Sequence, residues 1–221
     1  MIITIDGPSA SGKSTIAHAL AKRLNFYYLD SGLFYRALGY LLVSQAGYTV
    51  PDLASRINDK DINYYTSRCN YVYDQAGAHI FYEEEDITPC LKTKDVDLYA
   101  SLIGGTPNVR LGLEAYMRIL AQDKNLVIDG RDTGTIVFPN AEYKFFLTAS
   151  LAVRAVRWQV DQGKKGIIVT LEQAEHAVKT RDDRDWARPV APLAIPKDAH
   201  IIDNTNLSQE QTLQEFLKII T

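Results

Sequence analysis

The sequence predicts an α/β fold in which helices cover both faces of a parallel β-sheet. Short apolar segments alternate with amphipathic segments of helical period along most of the 221 residues, and this alternation is typical of parallel strands joined by helices. The apolar segments end in polar residues, which predicts a ligand site beyond the carboxyl ends of the strands. The length is enough for one substantial domain with a large buried core.

The N-terminal part contains two predicted strands, each followed by a helix. "MIITI" (1–5) reads as a buried strand, and residues 13–24 place Ile16, Leu20 and Leu24 on one face of a helix. "FYYLD" (26–30) is the second strand, and the next helix spans 33–43.

The pattern of residue types changes between about residues 51 and 94. Tyrosines alternate with polar residues on both sides of a glycine-containing turn in "NYVYDQAGAHIFYEEEDIT". This pattern predicts a small antiparallel excursion from the main sheet. Helices are expected to follow over 95–103 and 109–122.

The C-terminal part returns to the alternation of strands and helices. We predict strands over 126–129, 143–148 and 199–203, and helices over 151–161, 170–185 and 208–220. The first of these helices is expected to end at the break "QGKKG", and Ser208 is suited to cap the last one.

Composition argues against several classes of protein. The net charge of −3 argues against a general nucleic-acid binder. The two cysteines, Cys69 and Cys90, lack metal-ligand spacing, which favours free thiols in a reducing compartment. No apolar run is long enough for a membrane span and no signal segment precedes the first strand, so a cytoplasmic location is expected.

The segment "IDGPSASGKST" has the spacing G-x-x-x-x-G-K-[ST] between a predicted strand and a predicted helix. Glycines let successive backbone N–H groups point at phosphate oxygens, and the helix N-terminus adds positive charge. Lys13 would bridge the outer phosphates and the Ser14 hydroxyl would hold Mg²⁺. The predicted ATP-binding residues are Gly7, Pro8, Ser9, Ala10, Ser11, Gly12, Lys13, Ser14 and Thr15.

The loop by itself leaves the reaction open. A GTPase would need a guanine-reading N-K-x-D segment, and "INDKD" (57–61) lies in the excursion instead. A motor or transporter ATPase would usually be larger, so a small-molecule kinase is favoured. A regulatory module that binds ATP without turnover is the alternative from another class, and a nucleic-acid-binding protein is a third.

Arginines occur where strand or helix ends would present them. Arg154 and Arg157 are at helical spacing, and the segment 181–188 carries a run of charges that alone could be a solvated helix face. Together with a phosphate loop they predict a cationic site for phosphoryl transfer, because several cations must neutralise the phosphate oxygens. "QGKKG" could act as the hinge or tip of a mobile cationic segment.

Four segments resemble bacterial cytidylate kinases: "ITIDGPSASGKST", "YLDSGLFYR", "IDGRDTGTIVFPNAEYKFFLTAS" and "RDDRDWARPVAPL". The resemblance implies one domain over 1–221 with a five-stranded parallel sheet, a nucleotide-monophosphate-binding insertion at about 51–94 and a lid at about 154–188. It also implies a monomer that transfers the γ-phosphoryl group of ATP to CMP or dCMP with Mg²⁺, without binding nucleic-acid polymers or membranes.

The resemblance assigns roles residue by residue. Catalysis falls to Lys13, Arg131, Arg154, Arg157 and Arg181. The acceptor-binding residues are Ser31, Arg36 and Arg131 at its phosphate, Ser101, Arg110 and Asp132 at cytosine, and Arg181, Asp185 and Arg188 at its sugar and phosphate.

The chemistry of the bases agrees with these roles. An aspartate such as Asp132 can accept a hydrogen bond from the cytosine amino group but would repel the uracil carbonyl. This argues against a uridylate or shikimate kinase on the same scaffold. The chain departs from the family pattern at Lys92, which replaces an arginine, at Trp186, and at "DNTNLS" (203–208), where "DTTxLS" is usual.

Overall fold

The computed structural model describes residues 1–53 and 55–220. Among these residues, five strands form one sheet in the order β2-β6-β1-β7-β8. The strands are β1 (Ile2–Asp6), β2 (Tyr27–Asp30), β6 (Leu126–Gly130), β7 (Tyr143–Thr148) and β8 (His200–Asp203). Strand β7 pairs in parallel with both β1 and β8. The predicted α/β fold with a parallel sheet is therefore confirmed.

The chain divides into two compact units, residues 1–26 with 127–221 and residues 27–126. In the first unit the strand interiors are apolar on both faces, because consecutive residues are buried: Val127 and Ile128 in β6, and Phe145, Phe146 and Leu147 in β7. Such continuous burial is typical of parallel strands covered by helices on both sides. The helices of this unit are α1 (Lys13–Leu24), α7 (Leu151–Lys164), α8 (Leu171–Ala187) and α9 (Gln209–Ile219).

Helix α7 continues three residues beyond the predicted end. It reaches Lys164, so the first half of "QGKKG" is helical. The end is a Schellman motif at Gly166, whose φ of 75° lies in the left-handed region. Gly166 N donates to Gly163 O at 3.0 Å and Ile167 N donates to Gln162 O at 3.0 Å. The role of this segment as a hinge or tip stays a prediction.

The second unit contains α2 (Ser31–Ser44), α5 (Lys94–Ile103), α6 (Pro107–Leu120) and a three-stranded antiparallel sheet. That sheet consists of β3 (Cys69–Asp74), β4 (Gly77–Tyr82) and β5 (Glu85–Asp86), which confirms the antiparallel excursion. Its tyrosines pack on the rest of this unit. The Tyr71 ring, for example, stacks on Phe34 of α2 with centroids 4.9 Å apart.

Two short helices inside the predicted excursion have no counterpart in the sequence analysis. These are α3 (Val50–Leu53) and α4 (Asp59–Thr66). The Asn58 side chain caps α4 by accepting a hydrogen bond from Asp61 N at 2.8 Å, so a capping signal was present in the sequence. No helix within residues 1–53 and 55–220 is long and apolar enough to cross a membrane.

Candidate active site

The predicted phosphate loop joins β1 to α1. Gly7 has a φ of 152°, and a Cβ there would lie 2.1 Å from Leu147 O of β7, so only glycine allows this close approach of two chain segments. Gly12, with a φ of 92°, stands directly before the first turn of α1. The loop therefore presents backbone N–H groups at a helix N-terminus, an arrangement suited to anions.

Lys13 is the buried cation of this loop. Its side chain is buried, and Nζ donates to Pro8 O at 2.7 Å. Burial lowers the pKa of Lys13 well below its ordinary value, the charge of Arg131 lowers it further, and Asp129 opposes the change. A polyanion bound at the loop would raise this pKa again, because it would compensate the buried charge.

Ser14 is paired with a carboxylate near the end of β6. The Ser14 hydroxyl donates to Asp129 Oδ2 at 2.7 Å. Within the described part of the chain, no group of three or more His, Cys, Asp or Glu side chains could hold a metal. A hydroxyl and one carboxylate still suit Mg²⁺, which usually keeps several waters and takes its remaining oxygens from phosphates.

Arg154 is bound to the loop through Asp182, a residue of α8 that the sequence analysis missed. Asp182 Oδ1 accepts from Ser9 N at 2.8 Å, and Oδ2 accepts from Arg154 Nη1. Arg154 Nη1 also donates to Ser9 O at 3.1 Å. Asp182 and Arg154 are both buried, so this ion pair is well shielded from water and ties α7 and α8 to the loop.

Arg157, one turn further along α7, contacts the next part of the same loop. Arg157 Nη1 donates to Ser11 O at 3.1 Å and to Asn204 Oδ1 at 2.9 Å. Burial lowers the pKa of Arg157, but an arginine with this environment stays protonated at neutral pH. Asn204 follows β8 and was noted in the sequence only as a departure from the family pattern.

A second charge cluster is centred on Asp185, which is almost fully buried in α8. Arg131 Nε donates to Asp185 Oδ2 at 2.8 Å, and Arg188 Nη2 donates to Asp185 Oδ1 at 2.5 Å. Burial opposes the ionisation of Asp185, but the charges of Arg131, Arg188 and Arg181 outweigh it and hold its pKa below the ordinary value.

Asp6, at the end of β1, anchors the segment that carries Arg131 and Asp132. Oδ1 of Asp6 accepts from Thr133 N at 2.9 Å and from Thr133 Oγ1 at 2.8 Å, and Oδ2 accepts from Gly134 N at 2.7 Å. Thr133 begins a π-helical turn, Thr133–Val137, that the sequence analysis did not predict. Burial raises the pKa of Asp6 to about 6 in spite of these bonds, and the charge of Asp132 adds to the rise.

The other predicted acceptor residues belong to the second unit. Ser31 opens α2, and Arg36 of the same helix pairs with Asp97 through a 3.0 Å contact from Nη2 to Oδ1. Arg110 of α6 is buried, and its Nε lies 3.4 Å from Oε1 of Glu114, a buried partner that the sequence analysis did not identify.

Ser101 differs from these charged residues. Its buried Oγ makes no hydrogen bond with any residue that the structure describes. A buried hydroxyl without a partner is costly, so a ligand that supplies one would recover that free energy.

Comparison with known proteins identifies the family. A family model described as cytidylate kinase matches residues 3–221. The chain belongs to the cytidylate kinase family. A cytidylate kinase from Thermotoga maritima is 38% identical over 220 residues, covering 99% of this chain and 96% of that protein. One from Bordetella bronchiseptica is 40% identical over 218 residues, covering 98% and 93%.

A solved structure supports the fold. An uncharacterized protein from Eubacterium ventriosum superposes with a TM-score of 0.54 at 14% identity, and the match covers 100% of this chain and 98% of that one. The cytidylate kinase family is thus shown by sequence and the α/β architecture by structure. Membership of this family confirms the resemblance and removes the uridylate and shikimate kinase alternatives.

In this member of the cytidylate kinase family, the structure brings two groups of predicted residues together within the first unit. Arg154 and Arg157 contact the phosphate loop, and Arg131 and Arg188 share Asp185. The roles of individual residues, and the limits of the insertion and the lid, stay predictions.

Proposed function

We propose that this chain transfers the γ-phosphoryl group of ATP to CMP or dCMP, giving ADP and CDP or dCDP, through the residues described above. The observation that carries the proposal is the phosphate loop with buried Lys13, contacted by two arginines of α7. Family membership supplies the reaction, and this geometry supplies the means of stabilising a polyphosphate.

In the proposed mechanism, residues Gly7 to Thr15 hold the phosphates of ATP. The backbone N–H groups of the loop and the N-terminus of α1 donate to phosphate oxygens. Lys13 exchanges its contact with Pro8 O for a phosphate oxygen, because an anion stabilises the buried ammonium better than a carbonyl does.

Transfer itself is in-line, and the chain forms no covalent intermediate. The attacking atom is a phosphate oxygen of the acceptor, which is already anionic near neutral pH, so no strong general base is required. Positioning and electrostatic stabilisation carry the reaction. Arg131, Arg154, Arg157 and Arg181 would place positive charge around the transferring group, Arg131 and Arg154 as members of ion pairs with Asp185 and Asp182.

Ser14 and Asp129 would hold Mg²⁺, directly or through water. Bound there, the ion neutralises charge on the transferring phosphates. The 2.7 Å contact between the two side chains places a hydroxyl and a carboxylate oxygen side by side, as such an ion requires.

Acceptor recognition follows the family assignment. Ser31, Arg36 and Arg131 would bind the acceptor phosphate, and Arg181, Asp185 and Arg188 its sugar and phosphate. Asp132, Arg110 and Ser101 would read cytosine. The Ser101 hydroxyl, which has no hydrogen-bond partner among residues 1–53 and 55–220, supports this role. The burial of Asp132 supports it too, because buried polar groups discriminate strongly against a base that leaves them unpaired.

The test is ADP release with ATP, Mg²⁺ and, separately, CMP, dCMP, UMP or AMP. We expect fast turnover with CMP and dCMP and little with the other two. Omission of Mg²⁺ should abolish turnover, and added Mn²⁺ should restore part of it. Equal turnover with UMP would refute cytosine reading, and no turnover with any nucleotide would refute the function.

A variant pair tests the base-reading residues. Asp132→Asn should raise KM for CMP by about tenfold to a hundredfold, because the lost carboxylate no longer accepts from the amino group, while KM for ATP stays unchanged. Asp95→Asn, at an exposed position of α5, is the matched control and should behave as the wild type.

We further propose that the enzyme is monomeric and cytoplasmic. Size-exclusion chromatography with light scattering would test the oligomeric state, and cell fractionation would test the location.

A further inference from the structure

Asn204 occupies a buried position beside the phosphate loop although it lies 193 residues from the loop residue that it contacts. It directly follows β8, and its backbone N donates to Thr148 O of β7 at 2.9 Å. Its main chain is thus held by the sheet, and its side chain projects from a rigid base.

The amide of Asn204 completes a closed ring of hydrogen bonds. Asn204 Nδ2 donates to Ser11 O at 3.0 Å, and Asn204 Oδ1 accepts from Arg157 Nη1 at 2.9 Å. Arg157 Nη1 also donates to Ser11 O at 3.1 Å, and Arg157 Nη2 donates to Asn204 O at 3.1 Å. Each of the three residues therefore contacts the other two.

The groups that accept hydrogen bonds from Arg157 carry no charge, unlike those that pair with Arg154 and Arg131. Among the described residues, those that accept hydrogen bonds from Arg157 are two backbone carbonyls and one amide oxygen, all uncharged. Arg154 pairs instead with the carboxylate of Asp182, and Arg131 pairs with that of Asp185. The guanidinium of Arg157 is therefore oriented without having its charge neutralised.

This charge lies beside the start of α1. A Cβ built on Gly12 would lie 3.9 Å from Arg157 Nη1 and 3.7 Å from Asn204 Nδ2. Gly12 immediately precedes α1, and the N-terminus of that helix adds a partial positive charge beside the guanidinium. An anion at the loop would experience both.

We propose that Asn204 is a positioning residue for phosphoryl transfer, which holds Arg157 against the phosphate loop while leaving its positive charge available to the phosphates. The proposal rests on the proposed function, in which Arg157 acts on the transferring group. An amide suits the task because it donates to Ser11 O and accepts from Arg157 at once and carries no charge. An aspartate could only accept, and it would neutralise the arginine.

Asn204→Asp is the decisive variant, because it changes charge and donor capacity at nearly constant shape. We expect kcat to fall by about tenfold to a hundredfold, since the new carboxylate pairs with Arg157 and competes with the phosphates. Asn206→Asp is the matched control, because Asn206 is exposed two residues away and the change in net charge is the same. It should keep kcat within about twofold.

A double-mutant cycle separates positioning from general damage. In an Arg157→Gln background, Asn204→Asp should lower kcat by less than about twofold further, because the residue through which it acts is gone. An equal fold loss in both backgrounds would overturn the proposal, as would a wild-type kcat in the single variant.

The uncharged replacement Asn204→Thr provides the complementary arm. Its hydroxyl can still donate and accept, so kcat should stay within about threefold to fivefold of the wild type. A loss as large as that of the aspartate variant would overturn the role of charge. If Asn204→Asp does not fold, Asn204→Ala takes its place in the cycle, because it removes both amide hydrogen bonds, and Asn206→Ala is its control.

A spectroscopic readout keeps this proposal distinguishable from the proposed function. The side-chain Nη signals of Arg157 in ¹⁵N NMR should be resolved in the wild type, because three hydrogen bonds restrict rotation of the guanidinium. They should broaden in Asn204→Ala and not in Asn206→Ala. Resolved signals in a protein without CMP kinase activity would refute the function alone, whereas unchanged signals in Asn204→Ala would refute the positioning.

Discussion

Asp6 is expected to make the stability of this protein depend on pH in an unusual direction. Its carboxyl has a pKa of about 6 in the folded chain, against an ordinary value of 3.8. Burial, the largest cause, favours the neutral acid, and the hydrogen bonds from Thr133 and Gly134 only partly oppose it. The folded protein therefore binds this proton more tightly than the unfolded chain does.

The sign and size of the effect follow from proton linkage. Because the folded state retains the proton to higher pH, the contribution of Asp6 to the free energy of unfolding falls as pH rises from about 4 to above 6. The full difference between the two pKa values corresponds to about 3 kcal/mol. Between pH 5 and pH 7, where the protein can be handled, the loss is about 1 kcal/mol.

Urea unfolding of the wild type and of Asp6→Asn at pH 5, 6, 7 and 8 measures this directly. Asparagine does not titrate. The other titratable groups contribute equally in both proteins, so their contributions cancel in the difference between the two free energies of unfolding. A constant cost of the amide shifts that difference equally at every pH and leaves its pH dependence unchanged. The wild type should lose about 1 kcal/mol relative to the variant from pH 5 to pH 7. Asp183→Asn, at an exposed position of α8, should give a flat difference.

A flat difference for Asp6→Asn as well would refute the reasoning, since it would place the Asp6 pKa near 3.8 in the folded state. A wild type that gains stability relative to the variant as pH rises would mean that the hydrogen bonds outweigh burial.

Four other substitutions give clear expectations. Lys13→Ala should lower kcat for CMP by about a thousandfold in a coupled assay, because the buried cation at the phosphates is lost; near-normal turnover would contradict that role. Asp182→Asn should lower the free energy of unfolding by about 2 kcal/mol or more, because buried Arg154 loses its counter-charge, whereas a loss no larger than that of Asp183→Asn would indicate a negligible pair. Gly7→Ala should destabilise by about 3 kcal/mol or more, since its Cβ would lie 2.1 Å from a backbone oxygen. Gly163→Ala, in open helical space, should instead stabilise by about 0.5–1 kcal/mol in thermal and urea unfolding; similar effects of the two glycine substitutions would refute the packing argument.

The sequence alone determined the parts of this protein that depend on local pattern. The alternation of apolar strands and amphipathic helices determined the α/β fold, because burial on both faces of a sheet requires it. The spacing of Gly7, Gly12 and Lys13 determined the phosphate loop, because a tight turn before a helix needs those residue types in that order. The arginines were visible as residues, and the resemblance assigned them to the reaction.

Only the tertiary structure decided which groups surround those residues. Ser9 meets Asp182 across 173 residues of sequence, and Ser11 meets Asn204 across 193. No local period encodes such contacts, because they depend on the strand order that brings β8 and α8 to the loop that follows β1. The charge of each arginine is likewise a tertiary property: Asp182 compensates Arg154, whereas Asn204 orients Arg157 and leaves its charge in place.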